Sequence, residues 1–264
     1  MNFELSEEQK MIQQNVERFV QDNYDLPKRV ELSSQDPGYS KDYWNSMAEL
    51  GWLGLPFNEE NGGFGGNQID TLVIMEQFGK GLVLEPFLAN VVLGGGAIQM
   101  GGSEELKNEI LSSLIEGSKQ LTLAYAEQQS RFDLEDVATS ARKEGEKYII
   151  NGQKSMVLNA ESADHLVVVT RTNGSQVDEE GITLFLVDSD SKGLERNNFP
   201  TVDGLRASEI TFDNVEVSSE RMLGDIDKGF TILRTIANNA ILALCAEAVG
   251  AMEVLYKDTV EYTQ

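Results

Sequence analysis

The chain has 264 residues, 41% of them hydrophobic and 25% charged, the composition of an ordinary globular protein with length enough for two domains. Its 21 basic and 44 acidic residues give a formal net charge of -23, which repels a nucleic-acid backbone and anionic lipid alike, so neither nucleic acid nor a membrane is an expected partner. A single cysteine, Cys245, and a single histidine, His165, exclude an intrachain disulfide and leave no raw material for a zinc cluster.

No apolar run approaches the roughly 20 residues that span a bilayer. The opening Met1-Asn2-Phe3-Glu4-Leu5-Ser6-Glu7-Glu8 shows neither the basic and apolar regions of a secretory signal nor the arginines of a transit peptide, so a cytoplasmic protein is expected. Ser6-Glu7-Glu8-Gln9 has the form of a capping box, and Met11, Ile12, Val16, Phe19 and Val20 then recur at helical spacing. A second helix follows Ser40, with Trp44, Met47 and Leu50 on one face until Gly51. Asn61-Gly62-Gly63-Phe64-Gly65-Gly66 is as glycine-rich as a phosphate loop, but no strand precedes it and no Gly-Lys-Ser/Thr closes it, so it reads as a connector. Ile69, Leu72, Met75 and Phe78 form another helical stripe, Glu85-Pro86 can open a helix, and Ser103 caps one carrying Ile110, Leu111 and Leu114. Residues 1–117 are expected to form an all-α N-terminal domain.

From Gln120 the period changes. Residues 121–125, 147–150, 166–169, 182–187 and 209–217 are short runs rich in β-branched and aromatic residues, the pattern of strands. Asn151-Gly152 and Asn173-Gly174 suit type I′ turns, which predicts hairpins and an antiparallel β domain over 118–225. His165 opens a strand, and no Gly-x-Ser-x-Gly motif accompanies it, so it reads as structural. Beyond Gly229 the helical period returns, with Ile241, Leu244, Cys245, Ala248, Met252, Leu255 and Tyr256 in one seam to the end of the chain. Within it Cys245 reads as a small buried hydrophobe. A single helix cannot bury such a seam by itself, so residues 226–264 are expected to be the first long helix of an incomplete, truncated C-terminal helical domain whose partner helices come from further sequence or another chain.

Several strings, in this order, resemble the acyl-CoA dehydrogenase family: Leu5-Ser6-Glu7-Glu8-Gln9, Leu50-Gly51-Trp52-Leu53-Gly54-Leu55-Pro56, Gly62-Gly63-Phe64-Gly65, Tyr148-Ile149-Ile150-Asn151-Gly152-Gln153-Lys154 and Gly204-Leu205-Arg206-Ala207-Ser208. Glu85-Pro86-Phe87 after Gly79-Lys80-Gly81, and the stretch from Leu244 to Glu253, look most like the small subunit of two-subunit bacterial enzymes of the pimeloyl-CoA dehydrogenase type. The resemblance covers nearly the whole chain. It implies a multi-domain α and β fold with a β-barrel-like middle domain, an FAD cofactor, an acyl-CoA substrate (a dicarboxylyl or ring-bearing acyl group in that subgroup), homo- or hetero-oligomers joined through the C-terminal helices, and an electron-transfer flavoprotein as redox partner. The family's Arg-x-x-Phe-Gly string and later helices would follow where the chain stops at Tyr262-Thr263-Gln264.

In the family a carboxylate removes the α-proton of the thioester while the β-hydrogen passes as hydride to the flavin. Counted back without gaps from Tyr148, the first flavin segment falls on Tyr125, Ala126 and the residues to Asp133, where the family's Thr-Glu-Pro-x-x-Gly-Ser-Asp retains only Glu127 and Asp133. Its hydroxyl position is Ala126, its close-approach glycine Arg131 and its substrate-side serine Phe132. The second segment, usually Lys-x-Trp-Ile-Thr-Asn, reads Lys154-Ser155-Met156-Val157-Leu158-Asn159, so Met156 takes the place of the covering tryptophan and Leu158 that of the hydroxyl. On the last helix Asn238 falls at a position near the CoA arm, and the base used by a subset of the family falls on Ala240 beside Ile241, neither of which moves a proton. No catalytic residue is assigned. Two functions stay open at this point: an active dehydrogenase whose base lies elsewhere, and a non-catalytic, FAD-poor subunit assembled with an active paralogue.

Overall fold

The computed structural model describes residues 4–264, and Met1–Phe3, on which part of the leader-sequence reading rests, lie outside the described residues. The capping box forms as expected. The Ser6 hydroxyl accepts from Gln9 N at 3.1 Å and the Gln9 amide oxygen accepts from Ser6 N at 3.0 Å, starting α1 (Glu7–Asn23), which buries Val16 and Val20. Helix α2 (Leu26–Ser33) is capped by Asp25 and buries no residue. Without an apolar stripe it left no periodic trace in the sequence. Ser40 caps α3 (Lys41–Glu49), and Asn67 with Asp70 forms a second capping box at the head of α4 (Gln68–Gly81). Glu85-Pro86 opens a helix as expected, with Asn90 N donating to the Pro86 carbonyl at 2.8 Å. Helical winding starts at Phe87 and continues as a π-wound stretch, Leu88–Gly95, that runs into α5 (Gly96–Gly101), followed by α6 (Glu104–Ile115) under Ser103.

Eight strands follow: β1 (Leu121–Ala124), β2 (Ser140–Glu144), β3 (Lys147–Leu158), β4 (His165–Arg171), β5 (Ile182–Asp188), β6 (Leu194–Pro200), β7 (Arg206–Ser218) and β8 (Met222–Leu223). They form one sheet in the order β6-β7-β3-β2-β4-β5-β8, with β1 added to β4. Most pairs are antiparallel, but β1 runs parallel to β4 and Ser140 pairs in parallel with Arg171, so the sheet is mixed. Asn151-Gly152 is not the expected turn. It lies within β3, where the register against β7 shifts between Ile150 and Gly152, and Gly152 at φ +146° would place a Cβ 2.6 Å from Thr139 Cα. The glycine therefore makes a bulge where another strand comes close. The β2–β3 turn falls on Gly145 instead, and Asn173-Gly174 lies in the longer loop joining β4 to β5.

Strands β4 and β5 alternate between two cores. Val167, Val169, Leu184 and Leu186 join the helices, whereas Leu166, Val168, Phe185 and Val187 pack on the other face, as a side-chain period of two requires. The chain ends in α7 (Phe230–Tyr262), which buries Leu233, Ile236, Ala240, Ala243 and Gly250. The predicted seam is its other face: Ile241, Leu244, Met252, Leu255 and Tyr256 are exposed, and so is Cys245, contrary to its expected burial. Contrary also to expectation, α7 is long and apolar enough to cross a membrane by length and composition, with a mean hydropathy of 1.4 over an 18-residue stretch. Isolated charges such as Arg234 and Glu247 interrupt any consecutive apolar run there.

Candidate functional site

The two segments singled out in the sequence meet at the end of β3. The Ala126 carbonyl accepts from Ser155 N at 2.8 Å, and the Thr122 hydroxyl donates to the Leu158 carbonyl at 2.6 Å, which lays the chain from β1 along the end of β3. Both segments turn through left-handed backbone, at Arg131 (φ 49°) and Met156 (φ 51°). The Arg131 side chain is exposed. Tyr125, Phe132 and Met156 are 37%, 97% and 50% exposed, Val157 is buried, and Ala126 and Leu158 are half-buried.

A buried ion pair fixes this junction. Lys154 is wholly buried, and its Nζ donates to Glu127 Oε1 at 2.6 Å and to the Tyr125 carbonyl at 3.2 Å. The Glu127 carboxylate also accepts from Ala138 N at 2.9 Å and Thr139 N at 3.0 Å. One carboxylate thereby ties the first segment, the entry to β2 and the second segment together. Burial pulls the Lys154 ammonium down to about 8 despite the opposing charge of Glu127. Burial also raises the Glu127 carboxyl, but Lys154 and the other donors outweigh it and hold its pKa below the ordinary value. At neutral pH both are charged. The far end of the loop is held by Arg171, whose guanidinium donates to the carbonyls of Glu135 and Gln176 and to those of Asp178 and Glu180, at 2.7–2.8 Å. Phe132 sits at the tip between two anchored ends.

Beside Leu158 lies a cavity of about 210 Å³ between α4, the segment before the π-wound stretch, the ends of β3 and β7, and α7. Met75, Phe78, Leu84, Phe87, Leu88 and Leu244 give it apolar walls. Its polar groups are Tyr39, Glu85, Asn159, Asp203, Arg206 and Glu247. Asn159 donates to the Gln120 amide oxygen at 2.7 Å, and Gln120 donates to the Tyr39 hydroxyl at 2.7 Å. Glu85 accepts from Ser40 N at 3.1 Å and from the Tyr24 hydroxyl, and burial raises the pKa of both Glu85 and Tyr24.

Of the residues expected to contact flavin or substrate (Tyr125, Ala126, Arg131, Phe132, Met156, Val157, Leu158 and Asn238), only Leu158 lines the cavity. Asn238, with its side chain exposed on α7, does not, and Ala240 is buried. The sequence reading passed over Tyr39, Glu85, Asn159, Arg206 and Glu247 as site residues. Glu85, Asn159 and Arg206 lay within quoted strings without an assigned role, and Glu247 stood as a lone acid in the apolar seam Leu244-Cys245-Ala246-Glu247-Ala248-Val249.

Residues 6–118 match the acyl-CoA dehydrogenase N-terminal domain, and residues 122–215 match the acyl-CoA dehydrogenase middle domain. YngJ of Bacillus subtilis (strain 168), named as a probable acyl-CoA dehydrogenase, is 30% identical over 270 residues, which cover 100% of this chain and 70% of that protein. The chain belongs to the acyl-CoA dehydrogenase family. Another relative is CarC, the caffeyl-CoA reductase–Etf complex subunit of Acetobacterium woodii, at 26% identity over 98% of this chain and 69% of CarC. Among solved structures, the FAD complex of PigA superposes with a TM-score of 0.90 at 26% identity, covering 99% of this chain and 70% of that one. The helix–sheet–helix order seen here is that of the family.

Proposed function

We propose that the protein dehydrogenates an acyl-CoA thioester between its α and β carbons with FAD as acceptor, working as a subunit of an oligomer. The observation that carries this reading is Leu158, which is at once part of the second flavin segment and part of the wall of the apolar cavity. A substrate tail in the cavity and a ring on the junction would meet there.

The junction suits a flavin. It offers a partly open apolar surface at Tyr125, Met156 and Leu158 beside two left-handed backbone turns, a match for a flat ring held by main-chain groups and not by hydroxyls at Ala126 and Leu158. When bound, FAD supplies the acceptor for the β-hydrogen. Tyr125, Ala126, Met156, Val157 and Leu158 would hold the ring, and Arg131 and Phe132 would face the substrate side. The Glu127–Lys154 pair fixes the spacing of the two segments. The cavity walls exclude water and align the acyl chain, so that orientation is settled before reaction. The α-proton goes to a carboxylate that neither Ala240 nor Ile241 provides, and Asn238 lies outside the cavity on the path assigned to the CoA arm.

The strings around Glu85-Pro86-Phe87 and Leu244 to Glu253, with the exposed apolar seam of α7, support the finer reading of a small subunit in a two-subunit enzyme of the pimeloyl-CoA dehydrogenase type. An electron-transfer flavoprotein is the redox partner in this reading, supported by the naming of CarC within an Etf complex. The test is flavin content and dye-linked acyl-CoA turnover of the protein, alone and co-expressed with its neighbouring subunit. Yellow protein with turnover is expected. A preparation that stays colourless and inactive with added FAD and the second subunit contradicts the proposal.

A further inference from the structure

One side of the cavity wall is a single chain thick. Pro37, Gly38 and Tyr39 line the cavity, whereas Ser34, Gln35 and Asp36 just before them are exposed. This connection hangs from α2, which buries no residue: Leu26 and Val30 face solvent, and Leu32 packs partly buried against the core. An element with so little buried apolar surface belongs to the low-stability end of a fold. What holds it is polar. Arg206, at the start of β7, donates from Nη2 to the carbonyls of Ser33 and Gln35 at 3.4 and 3.1 Å, and lies 3.5 Å from the Asp36 carboxylate. Arg29, on α2, answers from the other side. Its Nη2 donates to the Asp203 carbonyl at 2.5 Å, at the tip of the β6–β7 hairpin, and its Nε donates to the Leu82 carbonyl at 2.7 Å. Each arginine lies against a glycine of the opposite segment: a Cβ on Gly38 would sit 2.8 Å from Arg206 Nε, and one on Gly204 would sit 3.5 Å from Arg29 Nη1. Asp203, Leu205 and Arg206 line the cavity too, so the two arginines cross at its rim. The far end of the connection is firm, because Ser40 N donates to the buried Glu85 and the Tyr39 hydroxyl accepts from Gln120.

We propose that residues 26–38 form a strap, fixed near Ser40 and clasped by Arg29 and Arg206, and that this clasp sets the longest acyl chain the cavity accepts. The inference rests on the acyl-CoA reading above and adds the determinant of size. A chain that fits lies sealed from water with the clasp closed. A longer chain has to lift the strap, and the charge-assisted hydrogen bonds broken in doing so count against its binding. Arg29 lines no part of the cavity. It is a positioning residue, and its removal loosens the strap while leaving the apolar walls as they are.

The test is equilibrium binding, by calorimetry, of straight-chain acyl-CoAs from butanoyl to tetradecanoyl to the full protein, wild type and Arg29→Ala, with amide hydrogen exchange measured on both. Wild-type affinity is expected to rise with chain length, reach a maximum and fall beyond it. Arg29→Ala should lessen that fall roughly tenfold, the worth of about one hydrogen bond to a charged group, and leave the affinities of the shorter chains where they were. Amides of residues 26–38 should exchange faster in the variant, with those of the sheet unchanged. A length profile that Arg29→Ala does not move, or strap amides no faster than in the wild type, overturns the clasp. Wild-type affinity that climbs all the way to tetradecanoyl-CoA overturns the size limit. Each of these leaves the acyl-CoA reading intact, whereas wild-type protein that binds none of the thioesters overturns both.

Discussion

Lys154 carries its charge with no water around it, and Glu127 is what makes that tolerable. Breaking a buried pair by removing one partner leaves an uncompensated charge, so Lys154→Met should cost about 3–5 kcal/mol. The double variant with Glu127→Gln should cost less than the sum of the two single changes, and denaturant titrations in a double-mutant cycle measure the difference. The pair also sets a pH dependence. Between about 8 and the ordinary 10.5 the unfolded chain holds a proton that folded Lys154 has released, so this group makes stability rise with pH across that window. Lys154→Met should lack the rise when unfolding midpoints are compared at either end. Glu127, with its pKa depressed below 4.5, contributes stability that is present above that value and lost as pH falls through its folded pKa. At this scale the sequence was only partly legible. Glu127 and Lys154 were visible as retained members of two strings, but that they touch follows from β1 lying beside the end of β3, which no local pattern encodes.

Helix α7 meets α4 through glycines set against backbone. A Cβ on Gly250 would sit 1.8 Å from the Glu76 carbonyl oxygen, and one on Gly79 would sit 1.9 Å from that of Glu247. Neither obstacle is a side chain that can swing away, so Gly250→Ala should destabilise by about 1–3 kcal/mol or force the helices apart. A lowered denaturation midpoint with an unchanged slope is the expected signature, and an unchanged midpoint would show that the crossing is looser than described. Elements with local signatures were legible. Capping residues Ser6, Ser40 and Ser103 start helices where their side chains predict. Where one signature has two uses, the sequence misled: Asn151-Gly152 offers a positive-φ turn, yet the same freedom serves a bulge beside Thr139. β6 (sequence Leu-Glu-Arg-Asn-Asn-Phe-Pro) is largely exposed and polar, so nothing in its pattern announced it.

The molecule as a whole joins a helical layer to a mixed sheet and leaves one face of α7 open. Met252, Leu255 and Tyr256 are each more than half exposed, an apolar surface of the kind that marks an interface. Met252→Glu with Leu255→Glu should weaken association with a second subunit, seen in sedimentation, without lowering the melting temperature of the isolated protein. A fall in both would place these residues in the chain's own core instead. Order and class of elements were readable from periodicity, and the unpartnered seam followed from its continuity. The cavity was not readable, because its polar groups come from the segment before α3, the segment after α4, the ends of β3 and β7, and α7, which are distant in sequence. The central claim is that a flavin on the Tyr125–Leu158 junction faces an acyl chain in the adjoining cavity. Anaerobic addition of acyl-CoA to the flavin-loaded protein in its assembly tests this most directly: bleaching of the flavin's visible absorption is predicted, and a spectrum that no acyl-CoA alters would contradict it.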